Sequence, residues 1–183
     1  MRTTIIALAG LLAYAVPAGA SPPFQLAAAD GSGWVKPGNL NGRPSVLLFW
    51  DSRCPPCLLE LANVAALQKQ FPEAVFVAVS LSPRDESRRV LAQTKLPSTV
   101  MQTRAPPDPR GLMGTLGNPT TALPFTAAFD PLGQQCAYVA GPLSTDQVVA
   151  LRLHCRDQIQ TKPAMTPREA PPAHINHSTA PME

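Results

Sequence analysis

The sequence predicts an α/β fold, a central mixed sheet with helices on both faces, from three observations. Two unbroken apolar runs, Val46-Leu47-Leu48-Phe49-Trp50 and Ala74-Val75-Phe76-Val77-Ala78-Val79-Ser80-Leu81, have the continuous hydrophobicity of strands buried on both sides. Between them Leu58, Leu61, Val64, Leu67 and Phe71 recur at spacings of three and four, the stripe of a helix packed on that sheet. The pair Cys54-Pro55-Pro56-Cys57 stands where the first strand hands over to the helix, which is where a reactive dithiol belongs.

The chain has 183 residues, four cysteines and a formal net charge of +3. So small an excess, with no basic run, predicts no nucleic-acid partner. Met1 to Ala20 carries Arg2, an apolar core from Ile5 to Val16 and the small residues Ala18-Gly19-Ala20, the layout of a secretory signal cleaved before Ser21. The alternative is an uncleaved membrane anchor, but the apolar core falls short of the ~20 residues of a span and Pro17 interrupts it. Export, to the periplasm or elsewhere outside the cytoplasm, explains why four cysteines are tolerated. The globular domain is expected over residues 21–160. Thr161 to Glu183 has five prolines and hardly a large apolar side chain, so disorder is expected there, with His174, His177 and Met182 as scattered, adventitious copper ligands at most.

Within the domain, Phe24-Gln25-Leu26 and Trp34-Val35 read as an edge hairpin with turns at Asp30-Gly31 and Pro37-Gly38. The helix that begins at the dithiol should end before Pro72. After the Ala74–Leu81 strand, Ser82-Pro83-Arg84-Asp85-Glu86 reads as a cap, a helix-start proline and early acids, and Pro97 stops that helix. Its arginines, Arg84, Arg88 and Arg89, read as a solvated face more readily than as an anion site. A further strand is expected at Ser98–Thr103, a stiff loop at Ala105–Pro109 and a short helix at Arg110–Leu116. Pro124 should open a strand, Asp130-Pro131-Leu132-Gly133-Gln134 is a hairpin turn and Gln135–Ala140 the last strand. Gly141-Pro142 breaks it, and Ser144-Thr145-Asp146 caps a final helix carrying Val148, Val149, Leu151 and Leu153.

The chemistry follows from the helix start. Backbone N–H groups of a first turn lack intrahelical partners and stabilise a thiolate there. With Cys54 as the cap, Pro55 and Pro56 fill the first two positions, where a fixed φ is welcome. Cys54 is then the nucleophile and Cys57, one turn in and covered, the resolving thiol. The prolines withdraw N–H donors from the Cys54 sulfur, which makes the couple more reducing; Arg53, as a neighbouring cation, pulls the other way. Glu60 shares a face with Cys57, so its carboxylate can accept a thiol proton, although a solvated glutamate favoured by the helix dipole is the commoner reading of that position alone.

Cys136 and Cys155 allow a simple calculation. The strand from Cys136 to Ala140 climbs about 13 Å and a helix from Thr145 to Cys155 returns about 15 Å, so an antiparallel return brings the thiols to one height. A structural disulfide is the preferred reading, ahead of two buried free thiols, a second redox centre or a Cys-His metal site with His154.

Phe49-Trp50, Cys54-Pro55-Pro56-Cys57 and Glu60 resemble the pattern of the thioredoxin superfamily, and within it the exported TlpA/ResA-like thiol:disulfide oxidoreductases. Gly42-Arg43-Pro44 before the first core strand is also similar, and Arg53 stands where that group usually has Trp. The resemblance runs from about Phe24 to Asp157. It implies a thioredoxin-like fold, a proton-accepting role for Glu60, and a cis-proline at Pro124 that turns the Leu123 backbone toward the dithiol to pair with an extended substrate. From the residues alone, a trans proline at a strand start is the usual state. Trp50, Arg53, Pro55, Leu123 and Pro124 are the expected substrate contacts.

The expected function is therefore protein thiol–disulfide exchange, reducing client disulfides with the Cys54/Cys57 pair and needing no organic cofactor or metal. A reductant in an oxidising compartment must be recharged, so a membrane-borne electron donor is expected. The resemblance implies haem-attachment thiols of apocytochrome c and thiols of copper-delivery proteins as clients. Two alternatives stand beside this reading: a disulfide oxidant or isomerase of the same fold, and a copper chaperone holding metal on Cys54 and Cys57.

Overall fold

The computed structural model describes residues 24–161. The expected signal segment, the copper ligands of the tail and the tail itself beyond Thr161 lie outside the described residues. In chain order the elements are β1 (Leu26–Ala28), β2 (Trp34–Val35), β3 (Ser45–Trp50), α1 (Pro55–Gln70), β4 (Val75–Ser80), α2 (Arg84–Thr94), β5 (Met101–Arg104), α3 (Pro109–Thr115), β6 (Phe125–Phe129), β7 (Gln135–Ala140) and α4 (Thr145–Thr161), with a 3-10 turn at Pro37–Asn39. The strands form one seven-stranded sheet in the order β2-β1-β5-β4-β3-β6-β7. It is a thioredoxin-like α/β layer structure. β3, β4 and β5 run parallel, whereas β6 and β7 on one side and β1 and β2 on the other are antiparallel.

β3 is central, and all six of its residues are buried, which is why it reads as a continuous rather than an alternating apolar run. Alternate side chains serve opposite layers. Val46, Leu48 and Trp50 pack with Leu61, Val64 and Leu67 of α1, Leu91 of α2, and Val148 and Leu151 of α4. Leu47 and Phe49 face the other way, against Leu112, Met113 and Leu116 of the α3 segment and Leu26 and Val35 of the edge hairpin. Each such large apolar side chain taken from water contributes roughly 1.5–3 kcal/mol, before the cost of ordering the chain.

The helix ends show where local chemistry acts. α4 starts with a reciprocal cap in which Gln147 N donates to Ser144 Oγ at 3.2 Å and Ser144 N donates to Gln147 Oε1 at 2.8 Å. α3 is followed by its cap Leu116 and then by Gly117, whose φ of +99° suits glycine, and a Cβ there would sit 2.6 Å from the Tyr138 ring. Asn118 N then donates back to Met113 O at 2.8 Å, closing the helix end. α2 differs from its expected start. Its N-cap is Pro83 without a side-chain cap, and the Ser82 hydroxyl instead accepts from Ser52 N at 2.7 Å. The reason is tertiary, because the loop after β3 crosses the start of α2 and offers Ser82 the half-buried N–H of Ser52. β5 also begins later than the expected Ser98 start, since Val100 N closes a turn on Pro97 O before the strand can pair.

α4 returns antiparallel over the last strand, and Cys136 of β7 and Cys155 of α4 are joined in a disulfide with a Cα–Cα separation of 5.0 Å. Both are buried, at 0% and 1% exposure, so the bridge has no access for an incoming thiol. Closing a loop with a sequence separation of 19 stabilises by about 3 kcal/mol in the chain-entropy treatment. Replacing both cysteines with alanine should lower unfolding free energy by about that amount in urea denaturation, with disulfide exchange through Cys54 retained.

Candidate active site

The site is built at the carboxyl end of β3. The chain leaves Trp50 into a tight turn held by Asp51, whose Oδ1 accepts from Arg53 N at 2.9 Å while its carbonyl accepts from Cys54 N at 3.1 Å. Ser52 is tied down twice more, by Ser52 N to Ser82 Oγ at 2.7 Å and by Ser52 Oγ to Glu86 Oε2 at 2.8 Å. The turn is thus fixed to the start of α2 before it delivers Cys54 to the start of α1.

Cys54 is the N-cap of α1, in extended conformation, and Pro55 and Pro56 occupy the next two positions. Cys54 Sγ accepts from Cys57 N at 3.3 Å. The two prolines have no N–H to offer, so the first turn supplies the sulfur with that one backbone donor. Cys54 and Cys57 form a disulfide with Cα atoms 5.2 Å apart. The two sides of the bond are unequal: Cys54 is half-buried, whereas Cys57 is 1% exposed and belongs to the core beneath α1. An incoming nucleophile or disulfide meets Cys54 first.

One turn further along, Glu60 is 6% exposed, and its Oε2 accepts from Leu143 N at 2.8 Å. Burial pushes its carboxyl up to about 7, and the Leu143 bond opposes that shift without cancelling it. A solvated glutamate is therefore ruled out by position: the segment after β7 covers it. Leu143 is the partner that sequence reasoning missed, being separated from Glu60 by 83 residues. The breaker pair Gly141-Pro142, which turns the chain back over α1, was the available signal.

The Leu123–Pro124 peptide bond is cis. The register places it at the dithiol end of the sheet, because Phe125 pairs with Phe49, one residue before Trp50, on the antiparallel neighbour β6. Pro124 O accepts from Gly141 N at 2.9 Å, and half-buried Leu123 lies just before this ladder, packed against the same core as Cys54. Asn118, which the sequence did not single out, shapes the approach. It is 2% exposed, its Nδ2 donates to Ala122 O at 2.8 Å and its Oδ1 accepts from Thr120 Oγ1 at 3.0 Å. A turn signal, Gly117-Asn118-Pro119, was its only trace in the sequence.

The other expected substrate contacts divide. Pro55 is exposed beside Cys54, and Arg53 is 84% exposed. Arg53 Nε lies 3.3 Å from Asp51 Oδ1, so part of its charge is offset before it can act on the sulfur. Trp50 is a correction: it is 1% exposed, on the α1-facing side of the sheet, and offers no surface to a substrate. A side chain at that strand position must point into one packed layer or the other. Leu59, which the sequence reading passed over, is 67% exposed on the first turns of α1. Among the described residues no group of three or more His, Cys, Asp or Glu side chains is placed to hold a metal ion.

Comparison with known proteins agrees with this geometry. The AhpC/TSA family matches residues 18–137. The thiol:disulfide interchange protein HelX of Rhodobacter capsulatus is 32% identical over 145 residues, 78% of this chain and 73% of that protein. Among solved structures, MTB dsbF in mixed oxidized and reduced forms superposes with a TM-score of 0.58 at 26% identity, over 72% of this chain and 94% of that one. A thioredoxin-family thiol:disulfide interchange protein from Chlorobium tepidum gives a TM-score of 0.60 at 19% identity, over 76% and 97%, a likeness of fold.

Proposed function

Since this chain belongs to the AhpC/TSA family and is a thiol:disulfide oxidoreductase of thioredoxin-like fold, we propose that it works outside the cytoplasm as a reductant of protein disulfides. The observation that carries this reading is the single backbone donor that Pro55 and Pro56 leave to the reachable Cys54 sulfur, opposite a Cys57 sealed beside a buried carboxyl.

In the reduced protein the Cys54 thiolate attacks one sulfur of a client disulfide. A Cys54–client bond forms as the client's S–S bond breaks, and the first client thiolate leaves. Cys57 then gives its proton to Glu60 and attacks Cys54, expelling the second client thiolate and closing the Cys54–Cys57 disulfide. Two electrons pass to the client, and the sulfur pair itself carries them, so no organic cofactor is invoked. A carboxyl near 7 is poised for that proton, since about half of it is ionised at neutral pH. The Leu123 backbone, just outside the β6 ladder, is the natural guide for an extended client segment.

The direction of electron flow rests on the sulfur's surroundings. With Pro55 and Pro56 withdrawing donors and Asp51 offsetting Arg53, the Cys54 thiolate is weakly stabilised, which favours the disulfide form and a low potential. Recharging requires a donor of reducing equivalents, by proposal membrane-borne, and apocytochrome c or copper-delivery thiols are the proposed clients. No helix among the described residues is long and apolar enough to cross a membrane. Equilibration with glutathione buffers tests the reading. A couple more reducing than about −180 mV is expected, and a value near about −120 mV, that of a strong oxidant, would overturn it.

A further inference from the structure

A second site lies where α2 crosses the carboxyl ends of β4 and β5. A cavity of about 210 Å³ is walled there by Arg84, Ser87 and Arg88 of α2, Ser80 of β4 and Arg104 of β5, with Asp30 also on its wall. β4 and β5 are adjacent parallel strands, so both end on this side of the sheet.

The sequence suggested a solvated helix face for Arg84, Arg88 and Arg89. That reading accounts for Arg89, whose Nε turns back to Asp85 O at 3.4 Å and which does not line the cavity. It does not account for Arg104, which another element brings to the same space. Arg84 and Arg88 are one helical turn apart, so like charges face each other and Arg104 adds a third. Two carboxylates stand nearby and leave an excess of positive charge: Asp30 remains an anion on the wall, its Oδ1 accepting from Ser32 N at 2.8 Å, and Asp85 approaches Arg88 at 3.8 Å with both side chains exposed. Neither Arg84 nor Arg104 has a carboxylate partner among the described residues. Beneath them the hydroxyls of Ser80 and Ser87 are buried.

We propose that this cavity binds a small, multiply charged oxyanion of the phosphate or polycarboxylate class, held by Arg84, Arg88 and Arg104. Guanidinium groups give such ligands paired, charge-assisted hydrogen bonds, and the volume suits a single oxyanion group or a compact polycarboxylate rather than a nucleotide. The cavity is also wired to the dithiol loop. Ser82 N donates to Ser80 Oγ at 3.1 Å, and Ser82 Oγ accepts from Ser52 N at 2.7 Å.

The test is calorimetric titration of the whole protein with inorganic phosphate and, separately, citrate, each against chloride at matched ionic strength. Saturable one-to-one binding of at least one anion is expected. It should weaken at least about tenfold in the Arg84→Ala/Arg104→Ala double variant and at least about threefold in Arg84→Ala alone, and stay within about twofold in Arg89→Ala, which matches Arg84→Ala in removing one positive charge from α2. All these side chains are exposed, and unchanged melting of the variants without anion verifies that they fold. Neither anion saturating, or equal weakening in Arg89→Ala, overturns the proposal.

Discussion

Replacing Cys54 with serine is expected to abolish catalysed reduction of insulin disulfides, a fall of at least about 10³-fold, because no other thiol of the site reaches solvent. Cys57→Ser should fail differently. It keeps the reachable sulfur, so one stoichiometric burst of client thiol is released, after which the protein stalls as a mixed disulfide. Single-turnover thiol release separates the two variants. Sustained turnover by Cys57→Ser would mean that Cys57 is not the resolving group, and a burst from Cys54→Ser would reverse the two roles.

Glu60→Gln should change both stability and rate. The folded carboxyl titrates near 7 against an ordinary value of 4.5. Between those values the native state holds a proton that the unfolded chain has released. The native state's advantage is therefore full below about 4.5 and is lost as pH rises through about 7, a change on the order of 3 kcal/mol. Denaturant melts of the wild type should show stability falling across that window. Glu60→Gln should flatten this component, while its side-chain oxygen still accepts from Leu143 N. If Glu60 also takes the Cys57 proton, the resolving step should slow by roughly 10²–10⁴ at neutral pH and lose its dependence on a group near 7. A flattened stability profile with an unchanged rate profile would leave Glu60 a buried structural acid and remove it from the mechanism.

The contrast between what the residues announced and what they hid follows from range. β3, α1, β4 and β7 were legible because burial on both faces, a three-and-four stripe and turn residues are local signals. The dithiol at the start of α1 was legible for the same reason, as both prolines and both cysteines lie within one turn. What escaped were contacts made across the sheet. Ser82 looked like a helix cap until the loop from β3 supplied Ser52 N as a better partner. Trp50 looked like a substrate platform because it adjoins the motif, yet strand alternation sends its ring into the α1 layer. The environment of Glu60 depends on Leu143, and the path into Pro124 depends on Asn118, neither of which any short window connects to the cysteines. Arg104 is the clearest case, since a helix-face reading of α2 cannot know what β5 places opposite.

Whether Cys54 is the sulfur that meets a client is decided by trapping. Cys57→Ser protein is incubated with a disulfide-containing client, quenched with acid and alkylator, digested and mapped by mass spectrometry. A client cysteine bound to Cys54 in near-stoichiometric yield is expected, with no adduct at Cys136 or Cys155. Recovery of no mixed disulfide, or of one carried by either of those two buried cysteines, would contradict that role for Cys54.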